Sequence, residues 1–234
     1  MQNAPFVGVH LSSSKVGYQS KSDTVQGFNF YAPQFQAVNS TAGVNIQDIK
    51  LDFGEGEADG GDNIQILDEG GATTATYSWM PADWFGGEQD GWVDEEGNLA
   101  DVTLAAGQGV LIDIVAAGTT VMNAGQVADT PTTVTGIQGF NFMGNNSPVA
   151  INIQDIKLDF GEGEADGGDN IQILDEGGAT VATYSWMPAD WYGGEQDGWV
   201  DEDGGMADVT IAAGSGFLVD IVSAGTKVIL PSAL

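Results

Sequence analysis

The stretch NIQDIKLDFGEGEADGGDNIQILDEGGATTATYSWM at residues 45–80 decides the fold, because it occurs again at residues 152–187 with one substitution. The identity extends beyond it. Between residues 45–118 and 152–225, only 10 of 74 aligned positions differ. A long internal repeat of this kind indicates two copies of one module in tandem. Any site in one repeat is therefore expected in the other.

The length of 234 residues fits two domains of ordinary size. We expect a first module at residues 16–127, a second at 128–234, and an N-terminal strand arm at 1–15. The segment ADTPTT at 128–133 between the modules is short and contains proline. A linker of this kind holds the two modules close together.

Short runs with period-two alternation, separated by glycine-rich turns, predict strands throughout the chain. Residues 63–68 and 75–80 are expected to pair as a hairpin. Residues 109–115 and 119–122, which flank Ala117 and Gly118, predict a second hairpin. No stretch keeps a helical period over ten residues. The sequence therefore predicts an all-β fold, with a β-sandwich or a partly open β-barrel in each module.

The charge is strongly one-sided, since 34 acidic residues face five basic ones and the net charge is -29. Phosphate binding needs clustered Lys and Arg, so we expect neither nucleic acid nor an anionic membrane surface as a partner. Cations, or a salty medium that screens the repulsion, fit better. No apolar run approaches the length of a membrane span, so no membrane insertion is expected.

The residues that commonly carry catalysis are scarce. The chain has no cysteine, and its single histidine, His10, lies outside both repeats. A Ser-His-Asp set therefore cannot exist in duplicate, and acidic residues are too common for a carboxylate pair to be informative. We expect no enzyme.

Each repeat contains one dense acidic loop, which is a candidate calcium site. Calcium prefers six to eight hard oxygen ligands on a turning backbone, and a cation would relieve the repulsion between neighbouring carboxylates. The spacing is not that of an EF-hand, because the twelfth position counted from Glu55 is Ile66. The alternative is a solvated loop without metal. The candidate ligands are Glu55, Glu57, Asp59 and Asp62 in the first repeat, and Glu162, Glu164, Asp166 and Asp169 in the second.

Each repeat also contains three tryptophans. Trp79 alternates with polar neighbours, which favours a core position. Trp84 and its counterpart Trp191 lie in a loop between proline and glycines, which favours a surface contact. Aromatic rings beside carboxylates can hold a glycan, whereas large aromatic side chains also serve packing and subunit contacts.

The N-terminal segment at residues 5–11 alternates like a strand. We expect it to dock on the second module of another chain by β-strand addition, with main-chain hydrogen bonds supplying affinity. Such a head-to-tail contact produces an open filament unless its rotation closes a ring. The apolar side chains expected in this subunit contact are Phe6, Val7, Val9 and Leu11.

Several short motifs resemble those of secreted bacterial surface proteins built from tandem β-rich repeats. The motifs are VGY at 16–18, GFNF at 27–30 and 139–142, GQGV at 107–110, GSGF at 214–217, and the hairpin arms that begin at Gly118 and Gly225. Val110 departs from the aromatic residue of the pattern, and the second repeat lacks VGY. The resemblance implies a β-rich fold and secretion to the cell surface or medium after removal of a signal peptide. It implies no chemistry.

Together these observations predict an extracellular structural protein that self-assembles into a filament or surface layer by head-to-tail strand addition, with calcium as a candidate stabilising ion. The alternative is a calcium-dependent, lectin-like surface protein that binds glycans. Burial of Trp84 and Trp191 between subunits would favour the filament, and their exposure in a groove would favour the lectin.

Overall fold

The computed structural model describes residues 15–21, 24–37, 43–54, 60–68, 71–161, 168–175 and 178–232. These residues form an all-β structure in which the α-helices are single turns, so the predicted fold class is confirmed. Within the described part of the chain, no helix is long and apolar enough to cross a membrane. Residues 5–11, the predicted docking strand, lie outside the described residues.

The strands of the first repeat are β1 (Val16–Lys21), β2 (Gly27–Tyr31), β3 (Val44–Asn45), β4 (Ile49–Asp52), β5 (Asn63–Leu67), β6 (Thr73–Met80), β7 (Gly91–Val93), β8 (Thr103–Leu104), β9 (Val110–Ile114) and β10 (Thr120–Gln126). Those of the second are β11 (Thr132–Thr135), β12 (Gly139–Gly144), β13 (Ile151–Asn152), β14 (Lys157–Asp159), β15 (Asn170–Leu174), β16 (Thr180–Met187), β17 (Gly198–Val200), β18 (Thr210–Ile211), β19 (Gly216–Ile221) and β20 (Lys227–Leu230). The helical turns are α1 (Ala82–Phe85) and α2 (Ala189–Tyr192), with 3-10 turns at Ile46–Asp48 and Ile153–Asp155.

The two repeats have the same sheet topology. Among the described residues, the first has antiparallel sheets in the orders β2-β9-β5-β6-β7, β1-β10-β4 and β3-β8. The second has the equivalent orders β12-β19-β15-β16-β17, β11-β20-β14 and β13-β18. No strand of one repeat enters a sheet of the other in this part of the chain.

Each repeat has its own apolar core, to which its five-stranded and three-stranded sheets both contribute. On β9, every second side chain is buried, as the alternating geometry of a strand requires. Trp79 and Trp92 are cross-strand partners, and their rings meet edge to face with centroids 5.1 Å apart. The indole Nε1 of Trp92 donates a hydrogen bond of 2.7 Å to the carbonyl of Ile49, which joins the two larger sheets.

One of the two predicted hairpins forms and the other does not. Strands β5 and β6 pair directly, which confirms the first. Strand β9 pairs with β2 and β5, whereas β10 pairs with β1 and β4, so the second prediction is wrong. A tight turn lies between β9 and β10, and in it the N–H of Thr119 donates a hydrogen bond to the carbonyl of Ala116. This turn leads the chain from the five-stranded sheet to the three-stranded sheet.

Candidate functional site

In each acidic loop, one of the four predicted metal ligands lies within the described residues. Asp62 and Asp169 are almost completely buried. The Oδ1 atoms accept hydrogen bonds of 2.9 Å from the backbone N–H groups of Val115 and Val222, respectively. Each carboxylate therefore ties the start of β5 or β15 to the end of β9 or β19. This structural role does not depend on a metal ion.

The remaining predicted calcium ligands lie outside the described residues: Glu55, Glu57 and Asp59 in the first repeat, and Glu162, Glu164 and Asp166 in the second. Among the residues that are described, no three His, Asp or Glu side chains form a group that could hold a metal ion. The calcium site remains a prediction from sequence.

Each repeat has a second acidic stretch, at residues 88–97 and 195–204, which includes the short strand β7 or β17 and ends in a turn. In the first repeat, the Oδ1 of Asp94 accepts hydrogen bonds from the N–H groups of Glu96 and Asn98 at 3.1 and 2.8 Å. Val93 then pairs with Leu99 across the turn. The hydrogen bonds to Asp94 fix the conformation of this hairpin, on which the acidic residues that follow Asp94 also lie.

The candidate contact residues Trp84 and Trp191 are 58% and 59% exposed. Both lie on one-turn helices, α1 and α2. A Cβ atom added to Gly60 would lie 2.7 Å from the Trp84 ring, so this ring packs over a position that only glycine can occupy. Because Gly60 has φ +73°, its backbone conformation also favours glycine. The structure thus presents one exposed tryptophan per repeat at the surface of a single chain, and in the first repeat its ring packs over Gly60.

Lys50 and Lys157 lie over buried tryptophans. The Nζ atoms are 5.5 and 5.8 Å from the ring centroids of Trp79 and Trp186, within the range of cation–π attraction. Partial burial lowers the pKa of Lys50, although the nearby charges of Asp48 and Asp90 act in the opposite direction. Within the described residues, the indole N–H groups of Trp79 and Trp186 have no hydrogen-bond partner.

Strand β11 lies at an edge of its sheet among the described strands, as does its counterpart β1. β11 pairs with β20 on one side and, within the described residues, with no strand on the other. The edge borders a cleft of about 450 Å³ that also includes the linker at 128–131 and the residues Ala105 and Ala106 of the first repeat. The sequence TTVT of β11 contains no charged residue.

Sequence reasoning missed the role of Gln47 and its counterpart Gln154. Gln47 lies in the 3-10 turn of the first repeat. Its Nε2 donates to the carbonyls of Trp92 and Ala100 at 2.6 and 3.0 Å, and its Oε1 accepts from the N–H of Trp92 at 3.1 Å. Gln154 makes the equivalent contacts. Nothing in the sequence distinguishes Gln47 from the other glutamines of the repeat, so the sequence gives no signal for this bridge.

Comparison of the chain with known family models, with curated proteins and with solved structures gives no match.

Proposed function

We propose that this chain is a secreted structural protein that assembles head to tail at the cell surface or in the medium. In this proposal, residues 5–11 of one chain add as a strand to β11 of the next chain. The observation that carries the proposal is the open, uncharged edge of β11 beside a cleft. Natural proteins usually protect such an edge with charged residues, proline or a bulge. An edge without this protection suits a strand from another chain.

The arm and the edge are chemically compatible. Residues 1–14 contain no Asp or Glu, although the whole chain has a net charge of -29. An arm of this composition approaches an acidic molecule without adding charge repulsion. Seven extended residues span about 23 Å, which exceeds the length of the four-residue strand β11. Val7, Val9 and Leu11 would share one face of the added strand, where they could cover the apolar part of the cleft.

The arm also leaves the molecule close to this cleft. The N–H of Val127 donates a hydrogen bond of 2.9 Å to the carbonyl of Lys15, which places the start of β1 beside the linker that leads into β11. Docking within one chain therefore competes with docking between chains. The first would give a monomer and the second a polymer, so the oligomeric state decides between them.

Sedimentation velocity over a range of protein concentrations, in high salt with calcium, tests the proposal. The full chain should form larger species as its concentration rises, because salt screens the repulsion between acidic subunits. Deletion of residues 1–12 should leave a folded monomer. Thr133→Glu, which adds a charge at an exposed position of β11, should weaken assembly.

Thr210→Glu is the matched control, because Thr210 is an exposed threonine of the same repeat on the short strand β18. It should assemble like the unsubstituted protein. A full chain that stays monomeric under all these conditions, or a truncated chain that still polymerises, would contradict strand addition.

Calcium is proposed as a stabilising ion at the two acidic loops. A ligand that binds only the folded state raises its stability by mass action. Melting temperatures should therefore be higher in calcium than in chelator. The double substitution Glu57→Gln with Asp59→Asn should reduce this difference if the carboxylate charges hold the ion. Identical melting curves in calcium and chelator would remove calcium from the proposal.

Glycan binding is the second candidate function, and the exposure of Trp84 and Trp191 favours it. A ring supported from below by Gly60 is a flat platform on which a sugar face can stack. A glycan array probed with and without calcium, using the protein and the variant Trp84→Ala with Trp191→Ala, would test it. Binding that disappears in the double variant supports a lectin, whereas subunit contacts would instead show as reduced assembly.

A further inference from the structure

Two backbone bridges between the repeats form an equivalent pair. Tyr31 forms a backbone bridge with Ser215, and Met143, the counterpart of Tyr31, forms one with Gln108, the counterpart of Ser215. In these two contacts the repeats therefore exchange roles.

Two adjoining hydrogen bonds show the same exchange. The N–H of Ala32 donates to the carbonyl of Gly214 at 3.0 Å, and that of Gly144 donates to the carbonyl of Gly107 at 3.2 Å. Ala32 corresponds to Gly144, and Gly214 corresponds to Gly107. An interface in which the same patch serves on both sides is isologous, the type found in two-fold symmetric dimers.

Phe30 and Phe142 mark the centre of this junction. They are counterparts of each other, and their rings stack with centroids 6.2 Å apart and an interplanar angle of 5°. A Cβ added to Gly71 would lie 3.5 Å from the Phe142 ring, and one added to Gly178 would lie 3.3 Å from the Phe30 ring. A residue that meets its own counterpart, flanked by equivalent contacts, lies at an approximate two-fold axis.

Close approach of the backbones depends on glycines on both sides of the junction. A Cβ on Gly109 would lie 2.7 Å from the carbonyl oxygen of Met143. A Cβ on Gly216, the counterpart of Gly109, would lie 2.9 Å from the Cβ of Phe30. These two glycines have no positive φ, so the space in the junction and not the backbone conformation excludes a side chain.

We infer that the junction face of the second repeat is self-complementary and that it can pair with a second copy of itself, since Gly144 leaves the space that Ala32 fills in the first repeat. In a pair of first repeats, two Ala32 Cβ atoms would lie about 2.4 Å apart, so two chains can associate through their second repeats only. This contact is separate from the docking of residues 5–11 and does not depend on it. Within one chain, the short linker at 128–131 favours the internal pair, because a short tether gives an effective concentration of about millimolar.

Cutting the linker of the full-length protein tests the inference directly. A protease site inserted between the exposed residues Asp129 and Thr130 allows cleavage after folding. The cleaved protein is unfolded in urea, refolded and measured by native mass spectrometry. We expect two paired species, the original pair and a pair of second halves, whereas the first halves should stay monomeric because Ala32 would face its own copy. Only monomeric halves, or only the original pair, would overturn the inference.

Two variants locate the pairing surface. Gly109→Ala with Gly216→Ala in the cleavable protein should weaken the pairing of the halves at least tenfold. Gly205→Ala is the matched control, because its Cβ would meet only a flexible carboxylate at 3.5 Å and its φ is ordinary. Equal pairing in the glycine double variant and the control would contradict the assigned surface. Circular dichroism of the halves reports whether each keeps its β-structure.

The same experiment on protein lacking residues 1–12 separates this inference from strand addition. Homotypic pairs should form whether the arm is present or absent. If they form only with the arm, the junction face is not their cause and the inference fails. If the full-length protein fails to polymerise but the halves still pair homotypically, strand addition fails and the junction inference stands.

Discussion

At the end of β2, the two repeats fill the same space with different residues. Tyr31 lies opposite Val110 in the first repeat, whereas Met143 lies opposite Phe217 in the second. All four side chains are buried. The aromatic ring lies on β2 in the first repeat and on β19 in the second. In each pair, therefore, a large residue faces a smaller one. Burial raises the pKa of the Tyr31 hydroxyl well above its ordinary value, which keeps this residue neutral.

This exchange predicts strong coupling between the two positions. Val110→Phe alone should lower the free energy of unfolding by about 1–3 kcal/mol, because an extra ring overfills a packed core. Adding Tyr31→Met should recover most of that loss, since it recreates the pair found in the second repeat. Urea unfolding of both single variants and the double variant measures the coupling. Losses that simply add would show that the two side chains do not share one space.

A second prediction at the residue scale concerns Asp62, which is the predicted metal ligand of the first repeat that the structure describes. Asp62→Ala removes the acceptor for the N–H of Val115 and should lower the free energy of unfolding by about 1–3 kcal/mol. Asp62→Asn keeps an oxygen that can accept the same bond, so its loss should be smaller. Both are measured by urea unfolding in chelator. Equal losses in the two variants would show that the negative charge matters more than this hydrogen bond.

At the scale of the elements, one side chain joins the 3-10 turn to β7. Gln47→Ala removes three hydrogen bonds to the backbone of Trp92 and Ala100, so we expect a loss of about 2–4 kcal/mol, at roughly 1 kcal/mol per bond. Gln47→Glu has the same shape but can donate no bond when ionised, and its carboxylate would face two carbonyls. Thermal unfolding should show a loss for Glu at neutral pH that shrinks at acidic pH. A loss for Glu independent of pH would contradict this role.

The elements also show how far the sequence predicts this structure. Alternation predicted β5 and β6 and their pairing, because both strands follow each other in one sheet. The same signal failed for β9 and β10, since a tight turn before Thr119 does not reveal which sheet the next strand joins. The surface position of Trp84 and the buried position of Trp79 agree with their sequence context. The stacking of Phe30 on Phe142 could not be predicted, because it depends on how the two repeats are placed in space.

At the scale of the whole molecule, the large negative net charge dominates the electrostatics. A net charge of -29 on 234 residues repels itself in the folded state more than in the expanded chain. The screening length falls from about 30 Å at 0.01 M salt to about 10 Å at 0.1 M. The melting temperature should therefore rise with sodium chloride, as differential scanning calorimetry would measure. A melting temperature that stays constant or falls would show that local ion pairs, such as Lys227 with Asp159, outweigh the repulsion.

The approximate two-fold relation between the repeats has a consequence for the appearance of any fibre. Repeats related by a simple shift along the fibre would give an axial spacing equal to one repeat, and the chain would look like two identical beads. Here the counterparts Phe30 and Phe142 meet face to face, so a rotation and not a simple shift relates the two repeats. In a head-to-tail filament, the true axial period is then the length of a whole chain. Power spectra of electron micrographs should show a layer line at that spacing.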